Sequence, residues 1–285
     1  MTIQKIFGGL FLLCGLIYAF VMGRELFQNR EGLRKAPGDL KVLSGLEFGV
    51  FFLCTIGVSD FLLNTLIIRK LKLAEDRDLP SCLIASTIVP GAFIAFSYLR
   101  AENSVDALTL ILFMLFLAAG AAVGGRAVSR LDGAAIKKLM GFALICSMAA
   151  LIIKMILSAG TTGSAVGLRG AKLVVMCAAC VGIGFINMAG VPCKPIAAAL
   201  LLLLGLSPVA TLTLTLVLGI IIPVSGGVSI VKAGRYNRKM VLAAMTAGSV
   251  AAVLGVMLAI SMNQLLLNIL LLGVMLLAVI STFRS

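Results

Sequence analysis

The residues best suited to chemistry are charged and polar side chains placed inside apolar segments. In the stretch GVPCKPIAAALLLLLGL (190–206), Lys194 lies between Pro192 and Pro195. The prolines remove backbone N–H donors and disfavour helical geometry at the residues before them. A helix that starts at Pro195 presents free N–H groups and a partial positive charge at its N-terminus. Together with the ammonium of Lys194, this pattern predicts an anion site.

A second stretch, TIGVSDF (55–61), places Ser59 and Asp60 in front of another apolar segment. Either residue is a good N-cap for a helix that starts at Phe61. We expect Asp60 to pair with Lys194, because an unpaired charge near the centre of a bilayer costs several kcal/mol. Two alternatives stay open: Lys194 contacts substrate in at least one state, or it only joins the two stretches through Asp60.

The candidate substrate-binding residues are the polar side chains of these two stretches: Lys194, Asn187, Cys193, Ser59 and Thr55. Asp60 is assigned a coupling or structural role, because a carboxylate repels an anion. The Asn187 amide either donates to an oxyanion or caps the half-helix before it. No acidic residue follows Asp132, so a carboxylate that couples transport to protons would be Asp60 or Glu47. We expect Glu47 to lie near the interface as a partner of its helix dipole.

The composition predicts that these residues lie in a membrane. Hydrophobic residues make up 61% of the 285 residues and charged residues only 12%, against about 25% charged in soluble proteins. The net charge of +13 comes from short loops between apolar segments, which excludes nucleic acid as a partner. The seven cysteines lie in apolar segments, histidine is absent, and there is no GxxxxGK[ST] motif. We therefore expect one all-α polytopic membrane domain without cofactor or metal.

A repeat organises the predicted spans. About 20 apolar residues are needed for each crossing, and two interrupted segments each precede three plain ones. A shift of 133 residues aligns Gly57 with Gly190 and Pro90 with Pro223. The predicted segments are 6–22, 42–68 (interrupted), 79–98, 107–124, 139–157, 173–206 (interrupted), 209–231, 240–260 and 265–283.

The distribution of Lys and Arg predicts how these segments cross. If both interrupted segments span the membrane, the basic residues divide 9 to 14 between the two sides. If both are re-entrant hairpins, the division is 18 to 5, which the positive-inside rule strongly favours. Each repeat is then a hairpin plus three crossings, so the two repeats are inverted. This predicts a membrane helix and basic loop over 1–41 and repeats over 42–158 and 159–285. Basic loops and the C-terminus are cytoplasmic, with the N-terminus outside the cell.

The second repeat resembles the TauE/SafE family of sulfite exporters, also called the toluene sulfonate uptake permease family. The resemblance lies in LLLLLGLSP, in a threonine-rich span, in the turn KAGRYNR, and in a small-residue span around Gly255. It covers about residues 45–283. The family's glycine cluster at each hairpin tip is reduced to a single glycine in TIGVSDF and in MAGVPCKP. The resemblance implies transport of small sulfur-containing or carboxylated anions such as sulfite or sulfonates.

These observations predict a secondary transporter of small anions in the cell membrane, with the site between the two tips and alternating access. Without any coupling group, export of a monoanion from a negative-inside cell gains about 2.3 kcal/mol per 100 mV. Two alternatives stay open: an anion channel of the same fold, and a redox protein that uses the thiols of Cys54 and Cys193. The lipid bilayer and a small anion are the expected partners, and a homodimer is left open.

Overall fold

A computed structural model of the protein describes residues 3–101, 105–128, 163–232 and 234–261. Nearly all of these residues are helical, and six helices are long and apolar enough to cross a membrane. The chain is therefore an all-α polytopic membrane protein, as its composition predicts. The predicted spans 139–157 and 265–283 lie outside the described residues.

The described helices follow the predicted segments closely, and both interrupted segments contain a real break. In chain order they are α1 (Ile3–Gln28), α2 (Arg30–Lys35), α3 (Leu40–Cys54), α4 (Asp60–Leu71), α5 (Leu79–Ala101), α6 (Ala107–Val128), α7 (Gly170–Asn187), α8 (Lys194–Leu203), α9 (Pro208–Lys232), α10 (Arg238–Ala243) and α11 (Ser249–Ser261). A π-helical turn, Ala244–Gly248, joins α10 to α11.

The first broken segment, α3 and α4, begins and ends at the same side of the molecule. The Asn237 side-chain amide donates to the carbonyl of Pro37 before α3 (3.0 Å) and to that of Leu73 after α4 (3.1 Å). The chain reverses between the two helices at Gly57, whose φ of +91° strongly favours glycine. The segment therefore forms a hairpin whose tip lies inside the protein.

The second broken segment, α7 and α8, forms a hairpin with a matching tip. Gly190 has a φ of +88°, and its N–H donates to the Asn187 carbonyl at 2.9 Å. Gly57, 133 residues earlier, makes the same bond to the carbonyl of Cys54 at 3.0 Å. The two ends of this hairpin also lie close together. The N–H of Ser207, after α8, donates to the carbonyl of Ala165, before α7 (2.8 Å).

The two hairpins open at opposite ends of α5. The first hairpin leads into α5 through the short connection 72–78. Beyond the far end of α5, the N–H of Asp106 donates to the carbonyl of Val166, in the loop that begins the second hairpin (2.7 Å). Gln4, at the start of α1, donates to the Val105 carbonyl at that same end. The start of α1 therefore lies at the open end of the second hairpin.

Helices from before residue 129 pack on helices from after residue 162. Helix α6 packs on α7, and α11 packs on α3. The contact between α6 and α7 is backbone to backbone, since a Cβ at Gly120 would lie 2.1 Å from the Val181 carbonyl oxygen. A Cβ at Gly184 would lie 2.3 Å from the Leu117 carbonyl oxygen. Small residues on both helices therefore allow this close approach of their backbones.

Helix α1 lies at the outside of the packed helices. It packs along α5, where Gly15 meets Ala92 so closely that an added Cβ would lie 2.4 Å away. Most of its remaining apolar side chains are exposed, among them Phe20 (73%) and Phe27 (67%). An apolar face of this kind suits contact with lipid, which agrees with an extra N-terminal span.

Candidate functional site

The tips of the two hairpins meet at an ion pair. Nζ of Lys194, the first residue of α8, lies 2.7 Å from Oδ1 of Asp60, the first residue of α4. Both residues are buried, with exposures of 5% and 1%. The pairing predicted from the sequence is therefore present, and it joins positions 134 residues apart.

Neighbouring side chains hold both charges in place. The Thr87 hydroxyl, on α5, donates to Oδ2 of Asp60 at 2.6 Å. The Lys194 ammonium also donates to the Cys54 thiol, at the end of α3, at 3.0 Å. Two of the three ammonium N–H groups are thus directed at groups of the first hairpin. The arrangement links three helices through a single cation.

A small cavity lies beside this pair. Its volume of about 10 Å³ is close to the space that one water molecule occupies. The cavity therefore has no room for a molecule of several heavy atoms. The cavity is lined by Ser59, Asp60, Phe61, Asn187, Cys193, Lys194, Leu218, Gly219 and Pro223.

The Ser59 hydroxyl is a polar group of this cavity without a described partner. Ser59 occupies the N-cap position of α4, but its side chain makes no capping hydrogen bond, contrary to the expected role. Its Oγ is buried and has no hydrogen-bond partner among the described residues. A buried hydroxyl without a partner costs free energy, so a ligand with an acceptor oxygen would satisfy it.

Two helix N-termini converge on the cavity. Helix α4 begins at Asp60 and α8 at Lys194, with Pro195 in the first turn as expected. The positive ends of both helix dipoles therefore lie at the ion pair, where each favours negative charge. The local electrostatics consist of one ammonium and two dipole ends, opposed by one carboxylate.

Glycine at position 219 leaves room for the lysine. A Cβ at Gly219 would lie 3.2 Å from both Cε and Nζ of Lys194. Pro223, one turn further along α9, lacks the N–H that would bond the Gly219 carbonyl. Next to the ammonium, α9 therefore has no side chain, and one of its backbone hydrogen bonds is missing.

Five of the six predicted site residues line the cavity: Ser59, Asp60, Asn187, Cys193 and Lys194. The sixth, Thr55, is not among its lining residues. Its hydroxyl donates to the Phe52 carbonyl at 2.6 Å, and its own carbonyl accepts from Tyr98. The Asn187 amide donates to the Val191 carbonyl in the tip that follows α7 (2.7 Å), and not to a carbonyl of α7.

Several residues of the site lie beyond what the two tip motifs predict: Phe61, Thr87, Leu218, Gly219 and Pro223. Thr87 and Gly219 belong to the unbroken helices α5 and α9, where threonine and glycine are common for packing reasons alone. One signal was available, since both helices contain an internal proline, Pro90 and Pro223. A proline inside a membrane helix marks backbone that a neighbouring group or ligand must satisfy.

Glu47 is placed differently from the prediction. The sequence suggests an interfacial partner of a helix dipole, but Glu47 lies in the middle of α3 with no exposed surface. It contacts Asn64 of α4, whose Nδ2 lies 3.4 Å from Oε2 of Glu47. Across the described ranges, no three His, Cys, Asp or Glu side chains are grouped closely enough to hold a metal ion.

Comparison with known proteins gives one match. The family model described as sulfite exporter TauE/SafE matches residues 79–282, from the start of α5 onward. The match therefore includes the Lys194 hairpin and leaves out the Asp60 hairpin. No curated protein and no solved structure matches the chain.

Proposed function

Because the chain belongs to the TauE/SafE family of sulfite exporters, and is accordingly a membrane transporter rather than an enzyme, we propose that it exports small sulfur-containing or organic anions. Sulfite and sulfonates are the anions this family suggests. The transported anion binds between the two hairpin tips. Lys194 supplies the charge, with Ser59, Asn187 and Cys193 around it and Thr55 supporting the first tip.

The observation that carries this proposal is the cavity at the Lys194–Asp60 pair. A buried ammonium, two helix N-termini and an unpartnered Ser59 hydroxyl all lie at one point. Each of these groups favours a small anion with several acceptor oxygens. A lysine acts there as a point charge, which suits anions of different shapes better than the planar fork of arginine.

Transport follows from competition for Lys194. In the closed state Asp60 occupies the ammonium, and there is room beside it for only about one water molecule. When one hairpin moves, the cavity enlarges. The anion then replaces Asp60 as a partner of some of the ammonium N–H groups. The anion leaves at the opposite end when the other hairpin moves and the ion pair forms again. This is alternating access around a fixed site.

Inverted repeats over 42–158 and 159–285, preceded by the segment 1–41, suit this cycle. Hairpins with matching tips that open at opposite ends of α5 support the proposal. We assign the basic end to the cytoplasmic side of the cell membrane. This end has the loops before α3, after α4 and before α10. Both tips belong to one chain, so the site is complete in a monomer and in a homodimer alike.

The two alternatives find less support. A channel of the same fold requires a continuous path between the tips, whereas an ion pair of 2.7 Å closes them here. A thiol-based redox role requires an accessible cysteine, whereas Cys54 and Cys193 are both buried and free. Exchange of labelled anion that saturates with concentration would separate a transporter from a channel.

The test of the proposed function is anion binding measured by the melting temperature of the detergent-purified protein. The panel comprises sulfite, thiosulfate, sulfoacetate, isethionate, lactate and chloride, on wild type, Lys194→Met and the surface control Lys172→Met. A ligand at a hundred times its Kd stabilises the folded state by about 2.7 kcal/mol. We expect one anion class to raise the melting temperature of wild type and Lys172→Met but not of Lys194→Met. An equal rise in all three proteins would exclude Lys194 from the site.

A further inference from the structure

Glu47 is a buried carboxyl group that the anion site does not use. It lies midway along α3, and none of its surface is exposed. The one described hydrogen bond to its side chain comes from Nδ2 of Asn64, at 3.4 Å. Oε1 of Glu47 and Oδ1 of Asn64 are both buried without a partner among the described residues. Two acceptor oxygens on touching side chains are therefore left without a donor.

No described cation compensates this carboxyl group. From α4, the Asp60 carboxylate acts on it electrostatically, and on α5 the Cys82 thiol lies within its electrostatic reach. Helix α10 packs on α3 and starts with two basic residues, but both are engaged elsewhere. Arg238 binds Glu25, and Lys239 donates to the Gly38 carbonyl.

A proton on Glu47 satisfies all of these atoms at once. A protonated carboxyl group has one O–H donor, and an amide supplies both a donor and an acceptor. With Oε1 protonated, Glu47 donates to Oδ1 of Asn64, while Nδ2 of Asn64 donates back to Oε2. The two side chains then form a cyclic acid–amide pair. A Ca²⁺ or Mg²⁺ ion would instead need about six oxygen ligands, whereas a proton needs no added space.

The charge balance leads to the same conclusion. Ionised Glu47 and Asp60 with a single Lys194 would leave one net negative charge among the buried groups of the two hairpins. An uncompensated buried charge is costly, so the group is neutralised instead. An anion at Lys194 adds a further negative charge, so a proton on Glu47 favours anion binding. By linkage, bound anion favours the proton to the same extent.

We propose that Glu47, paired with Asn64, is a proton-binding site, and that its proton travels with the anion through the transport cycle. The cotransport part rests on the proposed function, whereas the proton site itself does not. For a monoanion, one accompanying proton cancels the transported charge. The direction of net transport then depends on the combined gradients of the anion and the proton, and the membrane potential contributes no driving force.

The basic end is the side from which a proton reaches Glu47 in this proposal. Glu47 lies about 10 Å along α3 from the start of that helix. A cavity of about 290 Å³ at this end is lined in part by Asp78 and Asn237. The backbone N–H of Asn237 donates to the Cys82 thiol (3.2 Å), which lies within electrostatic reach of Glu47. Asn237 thus connects this cavity to a neighbour of Glu47.

The first experiment detects the proton directly, by infrared difference spectroscopy of the lipid-reconstituted protein during a change of pH. We expect a carbonyl band of a protonated carboxylic acid that Glu47→Gln abolishes and Asn64→Leu shifts. The surface variant Glu31→Gln should leave the band unchanged. A spectrum without such a band, or a band that Glu47→Gln leaves intact, would overturn the proposal. Glutamine mimics the protonated acid, so this variant should remain folded.

The second experiment separates cotransport from transport itself, using proteoliposomes and the anion that the melting panel identifies. Exchange of labelled for unlabelled anion requires no net proton movement, so wild type and Glu47→Gln should both perform it. A tenfold proton gradient at zero voltage should drive about tenfold accumulation in wild type, because equal concentration ratios carry equal free energy. In Glu47→Gln we expect no accumulation.

The outcomes of this second experiment are distinct. Exchange without proton-driven accumulation in wild type would contradict cotransport and leave the transporter intact. If no anion of the panel exchanges, the proposed function fails, and the infrared band still decides whether Glu47 binds a proton. Accumulation that persists in Glu47→Gln would assign the coupling proton to another group, with Asp60 the next carboxyl group to substitute.

Discussion

At the Lys194–Asp60 pair, two opposite charges are held 2.7 Å apart with almost no solvent contact. Loss of one partner leaves the other charged and buried, which in other proteins costs about 3–5 kcal/mol. Loss of both partners removes the charges together and is far less damaging. The pair is thus a point where stability and anion binding can be separated by mutation.

We predict that Lys194→Met lowers the free energy of unfolding by about 3–5 kcal/mol, for the reason just given. The double variant Lys194→Met/Asp60→Leu should recover most of this loss without recovering anion binding. Thermal unfolding in detergent, with and without the anion, measures both effects. A double variant that is no more stable than the single one would show that the charges do not depend on each other.

Gly219→Ala is predicted to weaken anion binding severalfold while leaving the protein folded. The added Cβ lies 3.2 Å from Cε and Nζ of Lys194, so the ammonium must move by a few tenths of an ångström. Gly182→Ala is the matched control, because a Cβ there has no heavy atom within 4 Å. Anion titrations of the two variants should differ. Equal affinities would show that the position of the ammonium is not critical.

The central residues of this site could be predicted because their types conflict with their surroundings. A lysine and an aspartate inside apolar segments require partners, and each needs the other. Thr87 and Gly219 carry no such conflict, since threonine commonly bonds to its own helix and glycine commonly serves helix packing. Their roles depend on how distant helices pack, and local sequence does not encode that packing.

The two hairpins also match at the helix ends away from their tips. Lys72 directly follows α4, and Gly205 follows α8 after Leu204. The two positions are 133 residues apart, and both residues have positive φ. In each case the next residue donates across the end of the helix, Leu73 to Ile68 and Leu206 to Leu201. Glycine suits this conformation, whereas lysine at position 72 adopts it at a cost.

A further cap joins the two halves at the open end of the second hairpin. The Asp106 carboxylate accepts from the Thr109 N–H (3.1 Å) at the start of α6, and it forms two hydrogen bonds with Arg169, of 2.7 and 2.9 Å. The Arg169 bonds, followed by those from Thr109, hold the pKa of Asp106 well below its usual range. The folded state therefore binds this proton more weakly than the unfolded chain does.

We predict that Asp106→Asn lowers the melting temperature slightly at neutral pH, and that the difference narrows in acid. A depressed folded-state pKa gives stability that is fully present above the ordinary aspartate pKa of about 3.9 and is lost as the pH falls below it. Melting curves between neutral and acidic pH test this, with the exposed Glu31→Gln as control. A difference that grows in acid would reverse the sign and contradict the assignment.

Apolar length and glycine–proline punctuation predicted the long described helices and the positions of both breaks, but not the short helix α2 in the basic loop. Details set by packing were less predictable. Helix α4 starts one residue earlier than expected, because Asp60 itself is its first residue. The π-helical turn at Ala244–Gly248 has no sequence signal, and it packs where Gly248 meets the ring of Phe51. Such a turn depends on the neighbouring helix α3 rather than on its own residues.

At the scale of the whole molecule, charge divides the protein into two ends. The loops before α3, after α4 and before α10 meet at one end through Asn237 and Lys239, and they are rich in Lys and Arg. The opposite end has Asp106, Arg169 and the start of α1. The unequal partition of basic residues was visible in the sequence. Which loops share an end became certain only from contacts between distant segments.

Single cysteines at the two ends should react from opposite sides of the membrane. We expect Arg77→Cys, in an exposed part of the basic end, to be shielded from an impermeant thiol reagent in intact cells. Lys172→Cys, exposed at the start of α7, should react. The variants are compared in a cysteine-free background, before and after permeabilisation. If both variants react in intact cells, the two ends do not lie on opposite sides of the membrane. If only Arg77→Cys reacts, the basic end faces the outside of the cell.

The separation of Asp60 and Lys194 along the chain affects how the protein is made. The 134 residues between them take roughly 7–27 seconds to synthesise at about 5–20 residues per second. Throughout that interval the nascent first hairpin has a carboxylate whose cation does not yet exist. A ribosome-bound intermediate would therefore keep this hairpin at the membrane surface, or hold it with Asp60 protonated. In either case the ion pair between the two hairpins forms only after the second hairpin has been translated.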